Sequence, residues 1–569
     1  MNNPFLEGQD NALPAKEKRE TTIGLSIKIH DPMHKTTKSA LAQNFSKFLG
    51  RFGKWRLVLL IFTVAYAYLL LRDLGYMWIQ WDEMSHLYGG LLLAQGNTRE
   101  YLNVYGYYPP LYDIVTTGYY RLLEVSVFSG RLAAVSFSVL SIWVIFELAN
   151  RPYGPKIALL SSVLLATMPG FVWASRVAML ETALVFFFSL SMLFFLIWIK
   201  TEKNIALVLV ALSIGIGFLA KYQIVVAGIV MLVCIPLLFK DRLRMRFAKF
   251  LIVPIIGAAI IVPWVAVLYH SNGTAAFGEL IYAMQVGGED RAQYSERFPA
   301  PIFYFIEMTW PFNDIPVHPI SLPIYILGLL GLGLFAWRRK PEDKMLLTWF
   351  VVVFIFFTLI PNKQWRYITP VFPVLAISAA GLAFFVYESI AKAYKKENAS
   401  LNRKRFLKSA SALLIILIAT SVAYSSYNAY QMVERDQIHI PIEEATSYAI
   451  RNINENECVV VLAPFNLFNG DMVRFYLQAE EPRPNKVFQY PELPVDSFVP
   501  DFNVTTLVTT CREQNVKYLF LYEYGGEIRY FNSNLTAMEV YSQLMATGSF
   551  VEECRVGSFP RTITIFAFS

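Results

Sequence analysis

Residues 204–239 read NIALVLVALSIGIGFLAKYQIVVAGIVMLVCIPLLF, with a single charge, Lys221. Taken as one helix, the stretch is far longer than the ~20 residues that cross a bilayer. Taken as two, it is a hairpin whose turn holds a lysine. The second reading decides the fold. It makes the chain polytopic and places an ionisable side chain at a membrane boundary.

The rest of the chain agrees. Of 569 residues, 55% are hydrophobic, 15% aromatic and only 16% charged, against about 25% charged in soluble domains. Mean hydropathy is +0.41. About eleven spans are expected, near 55–71, 130–149, 155–172, 178–199, 204–220, 222–239, 249–269, 321–337, 343–361, 366–388 and 407–430. The fold class expected is therefore a polytopic α-helical membrane protein. The net charge of +7 is spread over short clusters between apolar runs, so no nucleic-acid partner is expected.

The positive-inside rule orients the spans. With the polar tail 1–54 in the cytoplasm, the cytoplasmic connections become NRPYGPK, KTEKN, KDRLRMRFAK, WRRKPEDK and the run from Lys392 to Lys408. All are rich in Lys and Arg. The transmembrane region then covers 55–430, with long outer loops at about 73–129 and 270–320, and residues 431–569 lie outside. The stretch YYPPLYDIVTTGYYRLLEVSVF in the first loop is aromatic and amphipathic, as helices lying in a membrane interface are. The second loop, rich in Gly, Pro and aromatics, is expected to be a mobile lid. In 431–569, strands are expected at 459–464, 517–523 and 562–569. They alternate with helical segments, as in a small α/β domain. Cys458, Cys511 and Cys554 leave room there for one disulfide.

An ionisable side chain inside a membrane costs about 2.5–3.5 kcal/mol on insertion scales, so such residues are candidates for function. Asp82, Glu83, Arg176, Glu181, Lys221 and Arg366 all fall at outer ends of spans or in outer loops. One or two carboxylates facing several cations suit the inverting transfer of a sugar from a lipid phosphate. The acceptor hydroxyl needs a base, and the departing phosphate needs positive charge around it. His86, on the same helix as the acids, reads as a hydrogen-bond partner and not as a metal ligand.

The ordered set WDEMSH, YYPPLY, SGRLAAVSFSVL, SRVAMLETALVFF, GIGFLAKYQ and NKQWRYITPVFPVLA resembles the GT-C superfamily. More narrowly, it resembles its polyprenyl-phosphate-sugar-dependent glycosyltransferases, which include protein O-mannosyltransferases and aminoarabinose transferases. The resemblance covers roughly 73–385. It implies a hydrophobic helical bundle and inversion at the transferred sugar. It implies Asp82 as general base, with Glu83 and Glu181 as further catalytic acids. It implies Lys221, Arg366 and Arg176 on the donor phosphate, with Tyr367 adding a hydroxyl. Where relatives carry Lys or His before a Pro-Pro pair, this chain has Tyr108. The partners implied are a lipid-linked sugar donor, a protein, glycan or lipid acceptor, and membrane lipids; no cofactor and no divalent metal are expected. The rival reading is a transporter or lipid flippase. It calls for charges deep in several spans and inverted repeats, and neither is found in the sequence.

Overall fold

The computed structural model describes residues 53–569, apart from 77, 240–241, 276, 279–280, 282–284, 286–293, 311–317, 396–399, 436–438, 464–467, 481–486, 490–501 and 525–534. Most of the polar tail and much of the 270–320 loop thus lie outside the described residues. Val58–Ser569 form one compact unit.

Among the described residues, six helices are long and apolar enough to cross a membrane: Lys54–Leu71, Val127–Tyr153, Glu181–Thr201, Leu243–Asn272, Trp365–Tyr394 and Leu401–Glu434. Shorter apolar helices span Pro155–Ala166, Asn204–Phe218, Tyr222–Leu238 and Leu322–Arg338. The opening stretch is indeed two helices. Lys221 sits between them in extended backbone (φ −157°, ψ 125°), followed by a 3-10 turn at Tyr222–Ile224.

The helices meet through small residues, as membrane bundles commonly do. A Cβ at Gly331 would lie 2.1 Å from the Ser378 carbonyl oxygen, so the Leu322–Arg338 and Phe372–Tyr394 helices touch backbone to backbone. The 73–129 segment folds into three short helices, Trp81–Ala94, Thr98–Tyr105 and Leu111–Leu122. The last buries Tyr112, Asp113, Thr116, Thr117 and Tyr120 and exposes Ile114 and Leu122. One polar-containing face is turned to the protein and one apolar face outward, the pattern expected of a helix at a membrane interface.

The C-terminal segment holds a five-stranded sheet of β1 (Cys458–Leu462), β2 (Val487–Gln489), β3 (Val516–Tyr524), β4 (Phe550–Ser558) and β5 (Arg561–Phe568), in the order β2-β1-β3-β5-β4. β1 runs parallel to β2 and β3, whereas β5 is antiparallel to β3 and β4. The strands expected at 459–464, 517–523 and 562–569 are β1, β3 and β5. β2 and β4 were not anticipated. β4 reads FVEECRVGS, an edge strand with charges and a register shift at Glu552/Cys554, which is how exposed edges avoid further pairing. The disulfide expectation is corrected: none of the four cysteines forms a disulfide, with Cys458 and Cys511 buried and Cys554 partly so.

This segment packs on the bundle through the Gly470–Glu480 helix, which lies against Trp81–Ala94. Gln95 donates to the Gln478 carbonyl at 2.8 Å, and the Tyr120 and Phe475 rings are 6.4 Å apart.

Candidate active site

The site is built around the first turn of the Trp81–Ala94 helix. Carboxylates there complement the positive end of the helix dipole, so both Asp82 and Glu83 are suited to it. Their side chains then take opposite directions.

Glu83 turns inward. Each of its oxygens accepts two hydrogen bonds: Oε1 from Gln80 N (2.8 Å) and Arg131 Nη2 (2.5 Å), Oε2 from Arg131 Nε (3.0 Å) and Ala178 N (2.7 Å). Arg131 also donates from Nη1 to the Leu74 carbonyl (2.7 Å) and from Nη2 to that of Trp78 (2.9 Å). Both side chains are 0% exposed. The pair ties four separate stretches together and leaves Glu83 no oxygen for a substrate.

Asp82 turns the other way. Its Oδ2 accepts from Arg366 Nη2 at 2.5 Å, with the two side chains 17% and 16% exposed. Arg366 also donates from Nε to Gln364 Oε1 (2.5 Å), and its Nη1 faces the Met179 sulfur at 3.6 Å. A second pair stands alongside: Lys221 Nζ is 2.8 Å from Glu181 Oε1, 13% and 3% exposed. Glu181 Oε2 is buried and accepts no hydrogen bond. Arg366 is within Coulombic range of Glu181, and Lys221 of both Asp82 and Arg366. Four residues from four distant parts of the sequence thus form one cluster of two carboxylates and two cations.

Tyr367 and Tyr108 border the cluster. The Arg366 guanidinium lies 5.9 Å from the centroid of the Tyr367 ring. Burial holds the Tyr108 phenol well above the usual tyrosine range, with Tyr107 and Asp82 adding to the shift. It therefore stays protonated, within Coulombic range of Asp82. His86 lies one turn on from Asp82. Its Nδ1 is 2.8 Å from Asp113 Oδ1, and its ring is 4.8 Å from that of Tyr108.

Arg176 is wholly buried, and its Nη1 donates to the carbonyls of Leu69 (3.3 Å), Leu70 (2.7 Å) and Arg72 (2.7 Å). Leu69 and Leu70 lie in the last turn of the Lys54–Leu71 helix and Arg72 just past it, where carbonyls lack a partner within the helix. These contacts commit Nη1 to the helix end. Two residues of the site's support were not singled out in the sequence, Arg131 and Asp113. The only signal for either was an ionisable residue in an apolar or aromatic stretch. Among the described residues, no group of three or more His, Cys, Asp or Glu side chains is gathered as metal ligands.

The chain as a whole is also similar to known proteins. Residues 108–270 match the family model described as dolichyl-phosphate-mannose-protein mannosyltransferase. The chain is 28% identical over 273 residues to the undecaprenyl phosphate-alpha-4-amino-4-deoxy-L-arabinose arabinosyl transferase of Edwardsiella ictaluri, covering 45% of each chain. It is 23% identical to the alpha-1,2-mannosyltransferase ALG9 of Arabidopsis thaliana, covering 54% of this chain and 50% of that one. The chain thus spans about half the length of the curated relatives it matches. Among solved structures, ArnT from Cupriavidus metallidurans bound to undecaprenyl phosphate shares the fold with a TM-score of 0.58 at 15% identity, over 89% of this chain and 97% of that one. The oligosaccharyltransferase of Archaeoglobus fulgidus follows at 0.51 and 14% identity, over 82% and 70%. The motif order, the family match over residues 108–270 and the shared fold together give the chain its likeness to the GT-C superfamily.

Proposed function

We propose that the protein is an integral-membrane glycosyltransferase. It moves a sugar, with inversion, from a polyprenyl phosphate to a protein, glycan or lipid acceptor. The Lys/Arg-rich connections support an N-terminus in the cytoplasm and a C-terminal domain on the outer face, where the transfer takes place.

The observation that carries this reading is the cluster of Asp82, Arg366, Glu181 and Lys221. During transfer the acceptor O–H gives its proton to Asp82 as its oxygen bonds to the anomeric carbon. The bond from that carbon to the phosphate oxygen breaks, and the phosphate leaves with the electron pair. Arg366 and Lys221 stabilise the charge it gains. In the unliganded protein each of these cations is held by a carboxylate. The donor phosphate replaces Asp82 as the partner of Arg366, and Asp82 is then free to face the acceptor. Glu83 and Arg131 take no part in the transfer; they hold the helix that presents Asp82. With two cations on the phosphate, the step does not call for a divalent metal.

Purified protein incubated with a panel of polyprenyl-phosphate sugars tests the reading. Donor consumption that rises with a suitable acceptor is expected; solute transport without sugar transfer overturns it. D82N is expected to lose about 10²–10⁴-fold in kcat, the usual contribution of a positioned base, while still binding donor. Full turnover by D82N sinks the base assignment.

A further inference from the structure

Asp113 is a carboxylate that the transfer step does not use. It is completely buried, and both of its oxygens are taken: Oδ1 by His86 Nδ1 at 2.8 Å, Oδ2 by the Tyr101 hydroxyl at 2.9 Å. Burying a carboxylate is costly unless it is paired and hydrogen-bonded, and here the pairing serves one imidazole. A carboxylate on Nδ1 holds the hydrogen there. In the neutral ring, Nε2 is left as the acceptor. His86 follows Asp82 by four residues in the same helix, so their side chains share a face. The Tyr108 ring lies against His86 and its phenol feels the Asp82 charge. Gly89 makes room for the dyad: a Cβ there would come within 3.2 Å of Asp113 Oδ2.

We propose that Asp113 and His86 form a buried carboxylate–imidazole relay that takes the acceptor's proton on from Asp82. The inference rests on the transferase reading above. Asp82 receives the proton as the new glycosidic bond forms, and it must lose that proton before it can pair again with Arg366. His86 Nε2 accepts it, directly or through the Tyr108 hydroxyl, and the imidazolium is stabilised by Asp113. The proton passes to water once the product has left. His86 and Asp113 are positioning and proton-handling residues; neither touches the donor phosphate. The titratable groups that face the dyad are Tyr101, bonded to Asp113, Tyr108 and Tyr112, whose rings lie against His86, and Tyr120, within Coulombic range of Asp113; Asp82 and Glu83 are on the helix of His86.

The test compares wild type, H86Q and D113N for donor KM, for kcat and for the solvent deuterium isotope effect on kcat. H86Q is expected to lose about 100-fold in kcat, keep donor KM within two-fold and show a larger isotope effect, because release of the proton from Asp82 becomes the slow step. D113N is expected to fall in kcat by a similar factor, because the amide no longer stabilises the imidazolium. A purely structural role would instead lower thermal stability and leave the isotope effect of the surviving activity unchanged. Retention of kcat within about three-fold in both variants, or an unchanged isotope effect in H86Q, overturns the relay. If H86Q or D113N does not fold, Y101F decides the matter. It removes one hydrogen bond to Asp113, and the expected result is a lower kcat at unchanged donor KM with a larger isotope effect; wild-type values of both overturn the proposal. A wild-type protein that consumes no donor sinks the transferase reading itself, an outcome distinct from unaffected variants of an active enzyme.

Discussion

Asp82 and Glu83 are neighbours in sequence, and each faces an arginine, yet the two pairs are built for different ends. Glu83–Arg131 is sealed, 0% exposed on both sides, with every carboxylate oxygen doubly engaged. Asp82–Arg366 keeps 17% and 16% exposure and a single hydrogen bond between the partners. An ion pair that is saturated and dry resists exchange, because either partner left alone is a buried charge. An ion pair with an open side can trade one partner for another. The difference separates the residue that holds the helix from the residue available for chemistry, although charge and spacing are the same for both.

The largest effect is expected where the sealed pair is broken. R131M leaves Glu83 buried and unpaired, which costs about 3–5 kcal/mol. The expected outcome is loss of folded protein, read as yield and monodispersity in detergent. A well-folded R131M would break the contrast between the pairs. The open cluster should respond in binding and not in folding. The double variant K221Q/R366Q is expected to weaken polyprenyl-phosphate affinity about 100-fold, from the loss of two charge-assisted hydrogen bonds, with little change in yield. Unchanged donor affinity would remove both cations from the phosphate site.

The smallest effect lies at the exposed end of the series. His439 stacks on Tyr76 with centroids 4.4 Å apart and is 2.9 Å from Glu444, the two side chains 30% and 51% exposed. The Glu444 hydrogen bond raises the histidine above its ordinary 6.5, and the same contact lowers Glu444 below its ordinary 4.5. The histidine's contribution is complete below pH 6.5 and is lost as pH rises through the raised value. The glutamate's is present above pH 4.5 and is lost as pH falls through the lowered value. Between these limits thermal stability should be flat. On the alkaline side it should fall by under about 2 °C, and H439Q should abolish that fall. An alkaline fall that persists in H439Q would assign it to another group.

Much of this was legible in the sequence, for a physical reason. Apolar runs, their lengths and the cations between them mark spans and turns. That is why Lys221 could be placed at a hairpin tip, and Asp82, Glu181 and Arg366 at span ends. The use of a buried charge was not legible. Arg131 and Arg176 both end up on backbone carbonyls; Arg131 also meets Glu83, 48 positions away, and Arg176 reaches carbonyls more than 100 positions away. No local pattern records such partners. The spacing of Arg176 and Glu181 suggested one site, but the fold sends Arg176 to a helix end and Glu181 to Lys221. Asp113 was read as part of an amphipathic interfacial stretch, which it is, but its partner His86 is 27 positions back.

The Leu401–Arg435 helix has 35 residues, about 52 Å at 1.5 Å per residue, against a hydrocarbon layer of about 30 Å. Arg72 and Glu434, 2.7 Å apart, moor its C-terminal end to the end of the first helix. The surplus length therefore falls at the Leu401 end, where Arg403, Lys404, Arg405 and Lys408 give the first two turns the charge that suits a lipid headgroup layer.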